Sequence, residues 1–410
     1  MTTLNLYQAL RVADVDQAEL ERLLLTHFSG SWSKGDDEVQ YGQIGQSAAA
    51  IRVKYSKDGE IAAITPGPAL EASVIAEVVE KIERHLLKST TTHIGQLVLF
   101  AIVPTRGWYR YKDVLQLVPV PPEAPRPPFF MGDHPLLLQY QVKSSADFQT
   151  DMLRRSRVGR ELELLCTALN AWIRGGIGTV TRHHWSLVGN PRDPANWRSE
   201  YCQEAYFYPN ANGIAPAYTV VDCLEAMPSV PAQTHYTKMG ISGNEVLDMP
   251  DTFEQCLNVY FALPHNEKER FFRACFWFQY AQRVATFSYS GAFTALVSAV
   301  EALMGDAKPD AFCSSCKRPL GAGPTRRFID FVERHAPSPA VSQADRRRLY
   351  SLRSSLSHGG YLLHADRYGR DGGMTATALS DDANHQALWQ AVRVILVNWL
   401  LAEEQMRGLN

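Results

Sequence analysis

An arginine and a histidine stand five positions apart in the run Leu349-Tyr-Ser-Leu-Arg-Ser-Ser-Leu-Ser-His-Gly-Gly360, which has the pattern of a helix end. The guanidinium of Arg353 stays charged and can hold a phosphate, whereas the imidazole of His358 can transfer protons near neutral pH. Metal-free cleavage of RNA needs both kinds of group. The spacing alone is a weak signal, because Arg22 and His27 share it around three Leu and one Thr that are typical of a packed helix.

Helix geometry sets a condition on this pair. Residues five positions apart on an α-helix point about 140° from each other, so Arg353 and His358 do not share one face of a regular helix. Gly359 and Gly360 predict that the helix ends at His358, where the carbonyl end favours a protonated imidazole that would serve as a general acid. A second copy of the helix, placed against the first, would also bring the groups together. The alternative is that both residues only cap the helix and pair with surface acids.

Basic residues gather around the pair. Residues 311–370 contain 11 Lys and Arg against four Asp and Glu, although the whole chain has a formal net charge of −2. Such a cluster predicts a surface that attracts a polyanion, and a solvated helix face is the alternative. The candidate RNA-binding residues are Arg346, Arg347, Arg348, Arg326 and Arg327.

The composition is that of an ordinary globular protein. The chain has 410 residues, 45% hydrophobic and 20% charged, which is enough for two or three domains with their own cores. We expect a cytoplasmic protein without a membrane segment, because there is no run of about 18 apolar residues and no signal-peptide pattern. Seven scattered cysteines are unlike a disulfide framework and indicate a reducing compartment.

The predicted elements change character along the chain. Residues 1–118 alternate strand and helix patterns, and residues 136–245 begin with a strand and a helix, so two α+β subdomains are predicted, which together could form one sensor domain. Residues 119–135 hold seven prolines and are predicted to be a linker. Residues 250–410 show five successive amphipathic helices, which predict a bundle. The predicted fold class is therefore α+β, with a mixed α/β region followed by an all-α region.

A second motif is Cys313-Ser-Ser-Cys316. Two thiolates at this spacing can share one tetrahedral ion, so Cys313 and Cys316 are two candidate ligands of a structural zinc. No second pair follows nearby, and His335, His364, a distant cysteine or a partner subunit would have to complete the set. The alternative is a reduced, unligated pair in a loop. No cofactor is expected for catalysis.

Several runs in a fixed order resemble one known family. These runs are Phe271-Phe-Arg-Ala-Cys-Phe-Trp-Phe278, Ser290-Gly-Ala-Phe-Thr-Ala-Leu-Val-Ser-Ala-Val-Glu-Ala-Leu303, the Cys-x-x-Cys insert, and Tyr350-Ser-Leu-Arg-Ser-Ser-Leu-Ser-His-Gly359. They are similar to the Apea-like branch of the HEPN superfamily over about residues 250–405. HEPN domains are helical bundles that commonly dimerise, and many are metal-independent endoribonucleases of toxin–antitoxin, CRISPR and phage-defence systems.

The resemblance implies that Arg353 and His358 match the R-x4-6-H site of these nucleases, repeated across a dimer to form one cleft. There the 2′-hydroxyl of RNA attacks the adjacent phosphorus and leaves a 2′,3′-cyclic phosphate and a 5′-hydroxyl. His358 would act as acid or base, and Arg353 would stabilise the phosphorane. Glu301 resembles an acidic residue often found beside such sites and would orient Arg353 or His358. Ser354 is the fourth candidate catalytic residue, and it stands at a position where Asn, Asp or His is frequent in these nucleases.

Two hypotheses from different classes follow. The first is a homodimeric endoribonuclease, a toxin-like anti-phage or abortive-infection effector that cleaves RNA such as tRNA. In this hypothesis residues 1–245 either sense a phage-derived or regulatory protein trigger or restrain the nuclease. The second is a catalytically silent HEPN module that binds RNA, a nucleotide or a protein. A zinc-dependent nuclease would need an acidic cluster, which the sequence does not show.

Overall fold

A computed structural model of the chain divides it into two compact units. One comprises Met1–Gly95, Tyr140–Arg160 and Gly213–Tyr218, and the other comprises Gln96–Gln139, Glu161–Asn212 and Thr219–Asn410. The structure describes residues 16–28, 30–33, 37–42, 51–57, 61–67, 92–122, 124, 134–143, 148–175, 182–188, 198–204, 214–237, 245–285, 287–305, 311–312, 319–320, 323–337, 343–369 and 375–407, with isolated positions 73, 76, 77, 80, 84, 193 and 195.

The α+β fold class predicted from the sequence is confirmed, with a β-rich region followed by a helical region. Most of the predicted linker, residues 123 and 125–133, lies outside the described residues, and the division of residues 1–245 into two subdomains stays a prediction. No helix in the described ranges is both long and apolar enough to cross a membrane.

Within its described residues, the first unit contains a four-stranded antiparallel sheet that packs against a helix. Burial alternates along the third strand, with Ile51 and Val53 inside and Arg52 and Lys54 outside, as a sheet with one buried face requires. The strands pair in chain order as β1 (Gly30–Ser33), β2 (Glu38–Gly42), β3 (Ile51–Tyr55) and β4 (Ile61–Pro66), and the helix is α1 (Gln17–His27). The core joins them through Leu20, Leu23, Leu24, Phe28, Tyr41, Ile51, Val53, Ile61 and Ile64.

A buried ion pair ties α1 to helix α2 (Phe148–Leu169) within this unit. Glu19 is 2% exposed, and its Oε2 accepts hydrogen bonds from Nε and Nη2 of Arg154 at 3.0 and 2.8 Å. Arg157 Nη2 donates to Oε1 of the same carboxylate at 3.0 Å. A buried carboxylate is tolerated only when such donors compensate its charge.

Another sheet has six strands, which are β5 (Thr92–Ala101), β6 (Tyr109–Tyr111), β7 (Leu115–Pro119), β8 (His134–Lys143), β9 (Ile173–Arg174) and β12 (Ile214–Ala215). Their order is β12-β5-β8-β7-β6, and β9 also pairs with β5. Two of its buried polar side chains are joined by a hydrogen bond, since Gln116 Nε2 donates to Gln139 Oε1 at 3.1 Å. Three short pairs complete the described strands: β10 (Arg182–Val188) with β11 (Arg198–Glu204), β13 (Ser229–Val230) with β14 (Met249–Pro250), and β15 (Ala311–Phe312) with β16 (Pro319–Leu320).

The second unit ends in a helical bundle built around helix α6 (Tyr289–Met304). Apolar residues cover most of this helix, including Phe293, Leu296 and Val300, and all three are fully buried. The helices are α3 (Ala232–Thr237), α4 (Phe253–Ala262), α5 (His265–Val284), α6 (Tyr289–Met304), α7 (Pro324–His335), α8 (Gln343–Ser357), α9 (His364–Tyr368) and α10 (Ala376–Arg407). The five helices predicted from periodicity correspond to α5, α6, α7, α8 and α10.

A buried histidine anchors the short helix α3. His235 Nδ1 lies 2.6 Å from Asp248 Oδ1, and His235 Nε2 accepts a hydrogen bond from the backbone N–H of Ala171 at 3.0 Å. Since Nε2 is an acceptor, Nδ1 carries the proton and donates a hydrogen bond to the carboxylate of Asp248. Both ring nitrogens are thus used in the packing of α3.

Replacing Arg154 by Met tests the buried ion pair of the first unit. The substitution leaves the Glu19 carboxylate buried with fewer donors, so we expect the free energy of unfolding to fall by about 3 kcal/mol. Urea denaturation followed by circular dichroism measures the change. The matched control is Lys54→Met, which removes an exposed ion pair with Asp37 and should cost less than about 1 kcal/mol. Equal losses in the two variants would contradict this account.

Candidate functional site

Helix α8 ends in a Schellman motif at the position that the two glycines predict. Gly359 has a φ of +70°, a conformation that glycine adopts without strain. The N–H of Gly360 donates to the carbonyl of Ser355 at 2.9 Å, and the N–H of Gly359 donates to the carbonyl of Leu356 at 3.1 Å. His358 is therefore the C-cap residue of α8.

The imidazole of His358 is exposed to solvent at this helix end. The backbone N–H of His358 donates to the carbonyl of Ser354 at 3.1 Å, which continues the helical hydrogen bonding up to the cap. An exposed imidazole can exchange protons with a bound substrate or with water. The position thus suits an acid or base that acts on a molecule at the surface.

Arg353 instead points towards the neighbouring helix α6. Its Nη2 donates to Oε2 of Glu301 at 2.9 Å, and the hydroxyl of Tyr350 donates to Oε1 of the same carboxylate at 3.2 Å. The side chains of Arg353 and Glu301 are 28% and 30% exposed. Phe328 of α7 packs against Tyr350 with ring centroids 4.9 Å apart. Glu301 therefore fixes the direction of a half-buried guanidinium.

The phenol of Tyr350 acts as a hydrogen-bond donor in this cluster. Burial raises the pKa of Tyr350, and the Glu301 carboxylate raises it further, while the positive charges of Arg353 and Arg327 oppose the shift. The phenol consequently keeps its proton and shares the carboxylate with the guanidinium.

One chain does not bring all four predicted catalytic residues into contact. Glu301 and Arg353 are joined by an ion pair, but no contact links His358 to either of them among the residues that the structure describes. The backbone carbonyl of Ser354 accepts a hydrogen bond from the backbone N–H of His358. The contacts thus give Glu301 a role in orienting Arg353 and none in orienting His358.

The arginines of α8 that were predicted to bind RNA differ in exposure. Arg347 and Arg348 are exposed, and Arg348 donates to Oδ1 of Asn384 on α10. Arg346 is only 5% exposed, and its Nη1 lies 3.5 Å from a carboxylate oxygen of Glu333. Arg346 therefore lies inside the helical bundle, and a phosphate on the surface would not reach it.

The two predicted arginines of α7 have local partners. Arg326 is exposed and forms an ion pair with Asp330 one turn later, with Nε 2.9 Å from Oδ1. Arg327 is partly buried, and its Nη2 donates to the carbonyl of Gly305 at 2.9 Å, just beyond the end of α6. Arg327 thus hydrogen-bonds to a backbone carbonyl at the end of α6, whereas Arg326 is on the surface, as Arg347 and Arg348 are.

Asp366 is a structural residue of this region that the sequence analysis missed. Its Oδ2 accepts from the N–H of Ser290 at 2.7 Å and from the hydroxyl of Ser288 at 2.9 Å, and its Oδ1 accepts from the N–H of Tyr289 at 2.9 Å. Burial alone would raise the pKa of this carboxyl, but these hydrogen bonds outweigh burial, and the pKa lies below its ordinary value. Asp366 therefore caps α6 from α9, and no local pattern could reveal a cap 76 positions away.

The candidate zinc ligands Cys313 and Cys316 lie between β15 and β16 in the sequence, outside the described residues. Of the proposed further ligands, His335 is buried against Phe331 with ring centroids 4.5 Å apart, and burial together with the charge of Arg334 lowers its pKa. Within the described ranges, no three His, Cys, Asp or Glu side chains are grouped so that they could hold a metal ion. The structural zinc therefore stays a prediction.

Comparisons with protein-family models, with curated proteins and with solved structures find no match for the chain. The HEPN assignment consequently depends on the residues quoted from the sequence. The assignment is therefore a proposal.

Replacing Asp366 by Asn tests the cap of α6. The amide keeps the size of the side chain but loses the negative charge at the helix N-terminus, so we expect the free energy of unfolding at pH 7 to fall by about 1–2 kcal/mol. Since the pKa of Asp366 lies below its ordinary value in the folded state, its contribution is complete above about pH 5 and is lost as pH falls through the folded pKa.

Urea denaturation of wild type and variant at pH 7, 5 and 3 measures this dependence. The difference between the two proteins should shrink at the lowest pH. The control is Asp382→Asn on the exposed side of α10, which should change stability little. A loss for Asp366→Asn that is the same at every pH would contradict the electrostatic explanation.

Proposed function

We propose that the helical region, residues 250–410, is a metal-independent endoribonuclease of the HEPN type. The observation that carries the proposal is the ion pair between Arg353 and Glu301. A half-buried carboxylate holds a guanidinium in one direction, and an exposed imidazole follows at the end of the same helix. Fixed phosphate-binding groups and mobile protons are what phosphoester cleavage by general acid–base catalysis requires.

The proposed reaction is an internal transfer on RNA. A base removes the proton from a 2′-hydroxyl, whose oxygen attacks the adjacent phosphorus, and the bond from phosphorus to the 5′ oxygen breaks. An acid returns a proton to that 5′ oxygen, so the products are a 2′,3′-cyclic phosphate and a 5′-hydroxyl end. His358 supplies the acid or the base, and Arg353 stabilises the negative charge of the phosphorane.

Helix geometry supports a cleft made from two copies of the chain. Within one copy, Arg353 is directed to α6 while His358 lies at the exposed end of α8. Positions five residues apart diverge by about 140° on a helix. A second copy placed with its α8 against the first would present its own imidazole to the guanidinium. The proposed nuclease is therefore a homodimer.

Glu301 accepts its hydrogen bond from one nitrogen of the Arg353 guanidinium, Nη2. Arginine has five N–H donors, and the ion pair uses Nη2. The Nη1 group can then bind a phosphate oxygen while Glu301 keeps the plane of the guanidinium fixed. In this proposal Glu301 is a positioning residue.

A second candidate is a catalytically silent module of the same type that binds RNA, a nucleotide or a protein. Two observations favour it: the Glu301 carboxylate offsets the charge of Arg353, and Ser354 stands where Asn, Asp or His is frequent in the nucleases. For such a module, replacing Arg353 would reduce affinity, and no RNA would acquire new 5′-hydroxyl ends.

The substitution His358→Ala tests the nuclease. We expect wild-type protein, expressed from an inducible promoter in a bacterium with and without phage challenge, to fragment small RNA and stop growth, because the imidazole moves the proton. The variant should leave both intact, and its unchanged circular dichroism spectrum would show that it folds. RNA on a denaturing gel and growth curves are the measurements.

The matched control is His27→Ala, which alters the other R-x4-H match in α1. This variant should fragment RNA as wild type does. Fragmentation that persists in His358→Ala, or that disappears equally in His27→Ala, would rule out the proposed site.

Mixing two inactive variants tests the cleft between two copies. Arg353→Ala and His358→Ala proteins, each inactive alone, should recover part of the wild-type RNA cleavage when they are co-expressed, since a mixed dimer has one intact arginine and one intact histidine in different chains. A gel of RNA fragments measures the recovery. If mixed dimers form, as differently tagged copies purified together would show, and cleavage stays absent, the shared cleft is wrong.

A further inference from the structure

Helix α10 carries an arginine that is not paired within the part of the chain that the structure describes. Arg393 is partly buried, and its Nε and Nη2 are buried without a hydrogen-bond partner among the described residues. Burial lowers the pKa of Arg393 to about 10, so the guanidinium is still charged at neutral pH. A buried charge without a partner costs free energy, and its presence needs an explanation.

A second arginine lies close to Arg393. Arg174 ends β9, and its Nη1 donates to the carbonyls of Ala171 and Ile173 at 2.9 and 3.2 Å. Burial and the positive charge of Arg393 together lower the pKa of Arg174 to about 10. Because like charges repel and burial weakens the screening by water, each guanidinium destabilises the other.

The packing of helix α3 explains why the two arginines are neighbours. The hydroxyl of Tyr236 on α3 donates to the carbonyl of Leu169 at 2.5 Å, and Leu169 begins the short segment that leads to Arg174. Tyr236 also lines the same pocket as Val394, which follows Arg393 on α10. Helix α10, helix α3 and the end of β9 therefore converge at Tyr236 within the second unit.

The acidic and phenolic groups around this point do not compensate the two arginines. Burial raises the pKa of Tyr236 well above its ordinary value, so the phenol is neutral. The carboxylate of Glu163 on α2 pairs with Arg283. The carboxylate of Asp251 accepts a hydrogen bond from the backbone N–H of Ala232. Among the residues that the structure describes, no carboxylate forms an ion pair with either arginine.

We propose that Arg174 and Arg393 together bind a phosphate dianion, either inorganic phosphate or the phosphate group of a small monoester. Both side chains are only partly buried, so a small ion can reach them. Guanidinium groups bind phosphate oxygens through parallel N–H donors, and two positive charges balance a dianion. A carboxylate or a phosphodiester of RNA carries one negative charge and would leave one arginine uncompensated. The site uses none of the residues of the proposed nuclease and does not depend on it.

Calorimetric titration of the 410-residue chain with sodium phosphate, ribose 5-phosphate and sodium acetate tests the proposal. The titrations are made at equal ionic strength and at about pH 8, above the second pKa of a phosphate monoester. We expect phosphate or ribose 5-phosphate to bind at least about tenfold more tightly than acetate, because only a dianion balances both arginines. Tighter binding of ribose 5-phosphate would identify a monoester as the ligand, and tighter binding of phosphate would identify the free ion. Binding of neither, or no preference over acetate, would overturn the proposal.

Four variants locate the site. Arg393→Met and Arg174→Met should each weaken phosphate binding at least about tenfold. Arg106→Met, which removes an exposed arginine, and Arg353→Ala, which alters the proposed nuclease site, should bind phosphate as wild type does. Undiminished binding by Arg393→Met, or loss of binding in Arg353→Ala, would place the ion elsewhere and overturn the proposal.

Thermal unfolding tests the same site without a titration. In phosphate-free buffer, Arg393→Met should unfold at a temperature at least as high as wild type, because an apolar side chain replaces a buried charge that has no partner. Phosphate should raise the unfolding temperature of wild type and leave that of the variant unchanged. A less stable Arg393→Met protein in phosphate-free buffer would show that the chain itself compensates Arg393, and it would overturn the proposal.

Discussion

A helix buried on most sides must have its end groups bonded by its neighbours, and in this protein that helix is α6. The first N–H groups and last carbonyls of any helix lack partners within it, and burial makes an unbonded one costly. At the start of α6 the carboxylate of Asp366 supplies the acceptor. At its end, Arg270 donates to the carbonyl of Leu303 and Arg327 to that of Gly305. Charged side chains from three other helices therefore hydrogen-bond to the ends of α6.

The candidate site follows from this arrangement. Glu301 lies in the last turn of α6, so its carboxylate has a fixed position from which it orients Tyr350 and Arg353. The glycine-terminated end of α8 then leaves His358 exposed, and Asp366 ties the chain that follows back to the start of α6. This geometry explains why the guanidinium of Arg353 has a fixed orientation while the imidazole of His358 is exposed to solvent. The proposed cleavage needs both a fixed phosphate-binding group and an accessible proton-transfer group.

Helical periodicity and the two glycines were sufficient to predict α5, α6, α7, α8, α10 and the end of α8, because these features depend on neighbouring positions. Helices α4 and α9 were not predicted, since α9 has only five residues and neither has a side-chain cap. The burial of Arg346 and the cap by Asp366 depend on contacts between helices, and no local pattern contains them.

The chemistry of the RNA ends tests the central claim most directly. The purified 410-residue chain would be incubated with RNA in EDTA, and the products would be labelled by polynucleotide kinase with and without prior phosphatase treatment. Internal attack by a 2′-hydroxyl predicts fragments that are labelled without phosphatase, because they begin with a 5′-hydroxyl, and that form although metal is chelated. Fragments with 5′-phosphate ends, or cleavage that EDTA abolishes, would contradict the account.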